Sequence, residues 1–273
     1  VFFFQTEDGI RYLVRSRGRG DVYKRQGLSS SASVEVATLA ALNGFFTLGL
    51  DKATLIAYAK EAENDFVGVQ CGIMDQFASV MGKEDHAIFM DTRSGDFEYV
   101  PIDLDDKTFL VINSKVSHAL GSGEYNRRRA ECALCLNTLH RSSFRDISLA
   151  ELENKRALLP PVAYLRGLHV LTEIERTCLC KTALLEKDWA LVGRLLTQSH
   201  SSLRDNYQVS CEEIEYLIAN LNQFSSVWGA RIMGGGFGGS LIALVGARAV
   251  HKILAELSCK SFHRYGIRLE GYP

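Results

Sequence analysis

The spacing of apolar residues along the chain predicts a series of helices and strands. Apolar side chains that recur every three or four residues indicate helices, whereas short apolar runs between turn residues indicate strands. In the first half we predict helices over 29–46, from an N-cap at Asp51 to about residue 64, and over 73–81. Three strands are predicted to follow, over 86–91, 97–102 and 108–113. The second half is predicted to be mainly helical, over 123–140, 147–154, 162–180, 188–200 and 211–223. The pattern ends with two strands and a helix, over 228–233, 241–245 and 248–264.

The kind of element changes near residue 115. Strands and glycine turns mark residues 27–113, whereas helices dominate residues 114–225. We therefore predict a mixed α/β (α+β) chain of two domains, one over 27–115 and the other over 116–273.

Composition narrows the class of protein. The 273 residues are 47% hydrophobic and 23% charged, with a net charge of −1, which is typical of a globular protein. So small a net charge creates no long-range field that would attract nucleic acid or an acidic membrane surface. No apolar run approaches the roughly 18–20 residues that a transmembrane helix needs. We expect no nucleic-acid partner and no membrane partner.

The seven cysteines are an odd number, in a chain too long to need disulfide staples. We expect reduced thiols in a cytoplasmic protein. The pairs Cys132–Cys135 and Cys178–Cys180 are spaced closely enough to suggest a metal site. Both pairs fall in helical patterns without a suitably placed histidine, so buried structural cysteines are favoured.

Residues 1–26 do not match the remainder of the chain. They carry six basic and three acidic residues, and the basic residues follow an apolar run instead of preceding it. This order is a poor signal peptide, and a basic arm for nucleic acid is the alternative. The string from Phe3 to Gln26 resembles a translated sequencing adaptor, so we expect a non-native artefact and a true chain that begins upstream of Gly27.

A loop of small residues leads directly into the first predicted helix. Because the side chains of this loop are small, an anion can approach the backbone N–H groups at the positive end of the helix dipole. No Lys-Ser/Thr pair closes the loop, so it is not a Walker A motif. A phosphate cradle and a plain helix start both remain open for these residues, Gly27, Leu28, Ser29, Ser30 and Ser31.

Two carboxylates in the first half are candidates for chemistry. Asp75 lies one turn into a helix that follows Cys71 and Gly72, where the dipole stabilises the anion. It is either a base that accepts a hydroxyl proton or a residue that favours its own helix start. Glu63 ends a helix, where the dipole disfavours a negative charge, so a cation is expected as its partner. That cation is a lysine or a Mg²⁺ ion shared with a serine of the first loop.

The second half holds a glycine-rich turn between two predicted strands. Five glycines permit positive φ angles and close backbone approach, in a tight hairpin or in the wall of an active site. They are Gly234, Gly235, Gly236, Gly238 and Gly239. Tyr125 begins a helix where its hydroxyl could meet a polar ligand, and Arg127–Arg129 in that helix predict a solvated face. The scattered histidines form no nucleophile–base pair, which disfavours hydrolysis by a triad.

Together these segments resemble one known family. Gly27–Ser33 resembles the second signature of the GHMP small-molecule kinases, and Gly234–Gly239 resembles the third. Three further stretches are similar to the galactokinase family within that group: Glu61–Asn64 with Cys71–Gln76, Asn113–Arg129, and Ser202–Ser210. The resemblance implies a two-domain GHMP kinase fold with the active site in the cleft between the domains. It also implies phosphorylation of the galactose C1 hydroxyl by ATP with Mg²⁺, the first committed step of galactose breakdown in the Leloir pathway.

The resemblance also implies a role for each candidate residue. Gly27–Ser31 would hold the ATP phosphates, and Ser31 and Glu63 would bind Mg²⁺. Asp75 would take the proton from the sugar hydroxyl. Gly72 and Tyr125 would line the galactose pocket, and the glycines of 234–239 would form the back of the site. Galactose and ATP are then the small-molecule partners of a monomeric enzyme.

The chain departs from the family pattern at its start. The first signature, an Arg followed by a Gly-Glu-His-Thr-Asp type segment, is absent, and Lys24-Arg25-Gln26 replace the usual Pro and Gly before the loop. We therefore expect an N-terminally truncated polypeptide that is inactive and poorly stable in isolation. An N-acetylgalactosamine or arabinose kinase is one alternative. A non-catalytic, galactose-sensing regulatory paralogue is the other, although the intact Ser-rich loop and Asp75 argue against it.

Overall fold

The chain folds into two compact units, Val1–Asp103 and Leu104–Pro273. The structure is a computed structural model that describes residues 2–3, 30–68, 71–117 and 121–273. The boundary that we predict at 115 falls inside a strand of the second unit, β4 (Lys107–Ser117). The units divide at 103/104 because β4 hydrogen bonds with two other strands of the second unit.

The first unit combines helices with an antiparallel sheet. Its helices are α1 (Ser30–Phe46), α2 (Lys52–Glu61) and α3 (Met74–Met81). A single π-helical turn, Ala62–Val67, continues α2 and ends at Gly68 with a left-handed φ of 82°. The sheet has the order β1-β2-β3, made by β1 (Phe2–Phe3), β2 (His86–Met90) and β3 (Phe97–Pro101).

The start of α2 and the centre of the first unit follow from the sequence pattern. The Asp51 side chain accepts a hydrogen bond from the Thr54 backbone N–H at 2.8 Å, which confirms the predicted N-cap. The apolar faces of α2, α3 and β2 meet in a small core of buried side chains: Ile56, Phe77, Ile88 and Met90.

The second unit places helices around a four-stranded antiparallel sheet of order β5-β6-β4-β7. The other strands are β5 (Val227–Ile232), β6 (Gly238–Gly246) and β7 (Glu270–Tyr272). Its helices are α4 (Gly121–Thr138), α5 (Leu149–Asn154), α6 (Pro161–Leu185), α7 (Trp189–Ser202), α8 (Glu212–Leu221) and α9 (Val250–Tyr265). A second π-helical turn, Leu203–Tyr207, continues α7.

Among the described residues, two hydrophobic clusters stabilise this unit. One lies between the sheet, α8 and α9, with Leu110, Ile214 and Leu257 at its centre. The other joins α4, α5 and α6 around buried Leu152. A further contact brings the backbone of α7 against β5. A Cβ atom on Gly229 would collide with the Gly193 carbonyl, and a Cβ atom on Gly193 would collide with Trp228, so neither glycine has room for a side chain.

The predicted helices and strands are present, with differences at their ends. The helix predicted to end at 180 continues to Leu185, and β4 continues past a bulge to Ser117. The short strand β7 was not predicted. No helix in the described ranges is long and apolar enough to cross a membrane.

The cysteine environments differ from one another. Cys135 is fully buried, and burial raises the pKa of its thiol to about 11. Cys178 is exposed, so the prediction of buried structural cysteines is wrong for this member of the two pairs; Cys259, which lies outside the pairs, is exposed as well. All seven cysteines are free thiols.

Candidate active site

The start of α1 carries the end of the predicted phosphate loop. Gly27, Leu28 and Ser29 lie outside the described residues. α1 begins at Ser30 and runs for 17 residues, so a helix does start at the Ser-rich run, as predicted. Ser31 is exposed in the first turn, where unpaired backbone N–H groups and the positive end of the dipole favour an anion.

Glu63 lies in the π-helical turn after α2 and is buried, with 8% of its surface exposed. Its Oε2 atom has no hydrogen-bond partner among the described residues, and no lysine of this part of the chain pairs with it. Since a buried carboxylate needs a compensating cation, this environment fits a bound metal ion better than the lysine salt bridge that the sequence favours.

A second carboxylate, from Glu35 of α1, lies against Glu63. Burial, a hydrogen bond with Glu63 and the charge of Glu63 together raise the pKa of Glu35 to about 7. The Oε2 atom of Glu35 and the Oε1 atom of Gln76 are also buried without a partner among the described residues. Carboxylate and amide oxygens are the donors that Mg²⁺ prefers, so these residues fit the ion that the family resemblance implies.

Sequence reasoning missed Glu35, although a signal was available. Glu35 stands four residues after Ser31, which places the two side chains on the same face of α1. A search for acidic residues one turn beyond the serines would have found it.

Asp75 and Gly72 lie at the start of α3. Asp75 is half-buried in the first turn of the helix, and Gly72 is exposed in the segment before it. Asp75, Glu63 and Glu35 all act electrostatically on the thiol of Cys71. Burial, followed by these charges, raises the pKa of that thiol, so the three carboxylates share one neighbourhood.

Cys71 links the Glu63 turn to the Asp75 helix. Its Sγ lies 3.3 Å from the Asn64 Oδ1, and the Gln76 Nε2 lies 3.9 Å from the same sulfur. Gln76 is only 2% exposed. Asn64, which follows Glu63, and Gln76, which follows Asp75, are therefore linked through the Cys71 thiol.

In the second unit, the glycine segment 234–239 joins β5 to β6 as an antiparallel hairpin. Its base is closed by the Met233 backbone N–H, which donates to the Ser240 carbonyl at 2.9 Å. The predicted hairpin is confirmed, while a role as an active-site wall stays a prediction. Positive φ angles occur at Gly234, Gly236, Gly238 and Gly239 but not at Gly235.

Tyr125 of α4 lies beside this hairpin. A Cβ atom placed on Gly235 would come 3.7 Å from the Tyr125 Cδ2, an ordinary contact distance. The structure thus brings together the predicted galactose-pocket tyrosine and the predicted glycine wall.

The run Arg127–Arg129 is not a uniformly solvated face, contrary to the sequence prediction. Arg127 is exposed, but Arg128 is buried at 7% exposure and donates to backbone carbonyls of the π-helical turn after α7. Three consecutive helical residues point in directions about 100° apart, so they do not all face solvent.

The chain also matches known protein families. The sequence profile described as the GHMP kinases N terminal domain matches residues 4–83, and the GHMP kinases C terminal profile matches residues 180–264. The galactokinase of Thermotoga maritima is 46% identical over 243 residues, which cover 89% of this chain and 68% of that protein. The galactokinase of Bos taurus is 41% identical over 234 residues, or 85% of this chain and 59% of that protein.

Solved structures show the same likeness. The galactokinase of Lactococcus lactis complexed with galactose matches with a TM-score of 0.84 and 30% identity, over 89% of this chain and 64% of that one. The mevalonate kinase of L. major, at 19% identity and a TM-score of 0.55, shares the fold. The chain spans 59–68% of the length of the three galactokinases. On these identities, the chain belongs to the galactokinase family of the GHMP kinases.

Proposed function

We propose that the chain carries the chemistry of a galactokinase, an enzyme that transfers the γ-phosphoryl group of ATP to the C1 hydroxyl of galactose. Its likeness to the galactokinase of Lactococcus lactis, solved with galactose, supports this substrate. One observation carries the proposal: Glu63 is buried with an unpartnered carboxylate oxygen, in the neighbourhood that also holds Asp75.

The phosphates of ATP belong at the start of α1 in this proposal. Gly27–Ser31 precede or begin the helix, and its free N–H groups suit a polyphosphate. Glu63, with the Ser31 hydroxyl, would hold Mg²⁺, which neutralises charge on the transferred phosphoryl group when it is bound. Because Glu63 is buried, little water screens its charge, so its attraction to a bound cation is stronger than it would be at the surface.

Asp75 acts on the sugar. Its position in the first turn of α3 suits a carboxylate, since the helix dipole favours a negative charge there. The carboxylate accepts the proton of the C1 hydroxyl as that oxygen forms its bond to the γ-phosphorus and ADP leaves. Gly72 and Tyr125 would contact the sugar, and the segment 234–239 would close the back of the site.

The surroundings of the reaction are part of the same proposal. Free thiols are consistent with a cytoplasmic protein, and the small net charge creates no long-range field that would attract nucleic acid or an acidic membrane surface.

The test is ATP-dependent phosphorylation by the gene product that contains this chain, with galactose, N-acetylgalactosamine and arabinose assayed side by side. We expect galactose to give the highest kcat/KM. The Asp75→Asn variant should lose about 10²–10⁴-fold in kcat, the range that a positioned base contributes. Asp85→Asn is the matched control, because Asp85 is an exposed carboxylate at a positive φ that asparagine tolerates.

Each other outcome has a definite meaning. Preference for another sugar would assign the chain to one of the related sugar kinases. Undiminished kcat in Asp75→Asn would remove this residue from the reaction. A protein that binds galactose and ATP without turnover would be the regulatory paralogue.

A further inference from the structure

A buried group of charged side chains lies outside the residues that the proposed reaction uses. It consists of Arg128 and Glu131 of α4 and Arg166 of α6, with Arg166 only 1% exposed. The Arg166 Nε donates to the Glu131 Oε2 at 2.7 Å. Burial raises the pKa of Glu131, but the hydrogen bond and charge of Arg166 and the charge of Arg128 outweigh it and hold the pKa below its usual value. Glu131 is therefore an anion paired with three arginines, the buried Arg128 and Arg166 and the exposed Arg127, whose pair is the one that solvent screens.

The two guanidinium groups hold the backbone at the end of the second π-helical turn. Arg128 donates from Nε to the Tyr207 carbonyl at 2.7 Å and from Nη2 to the Gln208 carbonyl at 2.8 Å. Arg166 donates to the Asn206 carbonyl at 2.5 Å and to the Gln208 Oε1 at 2.9 Å. These carbonyls are the ones that a helix end leaves unpaired.

The chain reverses direction at this point. Gln208 adopts a left-handed conformation, with φ 57° and ψ 53°, which costs a residue other than glycine free energy and needs support from its surroundings. We name residues 206–209 the carbonyl turn.

The carbonyl turn contacts the glycine segment directly. The Phe237 N–H donates to the Val209 carbonyl at 2.7 Å. A Cβ atom on Gly236 would lie 2.5 Å from the same oxygen, so the two backbones approach as closely as glycine allows. Phe237 has a φ of 58°, a strained value that this hydrogen bond helps to maintain.

Arg128 contacts both the carbonyl turn and the glycine segment. Its guanidinium carbon lies 5.5 Å from the centre of the Phe237 ring, within the range of a cation–π contact. Arg128 also stands one turn after Tyr125 on α4, and Tyr125 faces Gly235. A single side chain therefore connects the helix of the tyrosine, the carbonyl turn and the glycine segment.

We propose that Arg128 is a positioning residue that sets the place of the glycine segment relative to Tyr125, acting through the carbonyl turn and the Phe237 ring. The effect of Arg128 on catalysis rests on the proposed function, whereas the effect of Arg128 on the Phe237 backbone does not. The planar fork of arginine is required, because it serves two adjacent carbonyls while its face lies over the ring.

Two readouts test the proposal on the full gene product. The first is hydrogen exchange at the Phe237 amide, measured by NMR. Arg128→Met should speed this exchange at least about tenfold, since the Val209 carbonyl loses its fixed place. The second is steady-state kinetics, in which Arg128→Met should lower kcat by about 10–100-fold, because small displacements of a site are costly. Arg128→Lys keeps the charge and the fold but not the fork, and it should give a smaller change of the same kind.

Two control variants separate positioning from general stability. Leu152→Ala creates a cavity in the α4–α6 cluster, away from the glycine segment, and should lower the melting temperature without changing either readout well below it. Arg127→Met removes an exposed arginine of the same helix and should change neither readout.

The outcomes remain distinct if one of the two proposals fails. Unchanged exchange at Phe237 in both Arg128 variants would overturn the positioning role, whatever the activity. Faster exchange with unchanged kcat would limit Arg128 to backbone order and overturn its part in the reaction. Absence of kinase activity in the unsubstituted protein would refute the proposed function and leave the exchange experiment valid.

Discussion

Gly236 is a position where a single methyl group should be costly for two reasons at once, its backbone conformation and its neighbours. Its φ is 83°, and a Cβ atom there would lie 2.5 Å from the Val209 carbonyl oxygen and 2.6 Å from the Val209 Cβ. The left-handed backbone costs an L residue about 1–2 kcal/mol. Overpacking against backbone atoms that have little freedom to move adds about 1–3 kcal/mol. Gly236→Ala should therefore reduce the free energy of unfolding by about 2–5 kcal/mol.

The assay is urea denaturation followed by tryptophan fluorescence. The chain has two tryptophans, Trp189 and Trp228, and both lie in the second unit, so the signal reports the unit that contains Gly236. The midpoint should fall without a change in slope, which would show a loss of stability and not an altered unfolded state.

Gly235→Ala is the matched control in the same hairpin. Gly235 has no positive φ, and its Cβ would make only an ordinary 3.7 Å contact with Tyr125. Its free energy of unfolding should change by less than about 1 kcal/mol. Equal losses in the two variants would refute the argument from φ and from the Val209 contact.

Two further predictions concern a helix cap and a buried histidine. Asp51→Ala should destabilise α2 by about 1 kcal/mol, because the Thr54 N–H loses its 2.8 Å partner, whereas Asp51→Asn should keep most of that stability. Hydrogen exchange of the α2 amides measures both effects. Equal exchange rates in the two variants would contradict the cap. Burial, with nearby arginine charges, lowers the pKa of His169 to about 3 from an ordinary value of 6.5. The unfolded chain binds a proton here below pH 6.5 and the folded chain does not until about pH 3, so stability should fall with decreasing pH across that window by up to about 1.4 kcal/mol per pH unit. His169→Gln should reduce the dependence of the unfolding free energy on pH, measured by denaturation at several values between pH 3 and 6.5. The control His251→Gln, at an exposed position, should leave that dependence unchanged. The same pH dependence in both variants would contradict a buried neutral imidazole at His169.

Much of the fold could be predicted because hydrophobic periodicity carries most of the information about element type. The cap at Asp51 and the hairpin at 234–239 also have local signals that depend on few residues. The π-helical turns after α2 and α7 could not be predicted, since an i→i+5 hydrogen bond needs no particular residue type. The strand β7 contains Glu270 and Gly271 and has too little apolar alternation to be detected.

Individual candidate residues of the site could be picked out from the sequence, but the contacts between them could not. The residues on helix starts and turns, such as Asp75 and Gly236, stand out by position in the sequence. The partners of Arg128 lie 79 and 80 residues away, a separation that no local pattern reveals. Glu35 was missed for a different reason: its spacing from Ser31 is a signal, but an acidic residue in a helix is usually solvated, and its contact with Glu63 comes from the fold.

The backbone contact between Gly193 and Gly229 has a consequence for engineering thermal tolerance. Replacing a glycine inside a helix by alanine is a standard route to a more stable protein, since it restricts the unfolded chain. Gly44 of α1 suits that strategy, because a Cβ there meets nothing within 4 Å. At Gly193 the same substitution would drive a methyl group into the Trp228 backbone and force α7 away from β5. A helix-propensity score would rank the two glycines alike, so a stabilised variant has to be chosen from the packing of the helix and not from its composition.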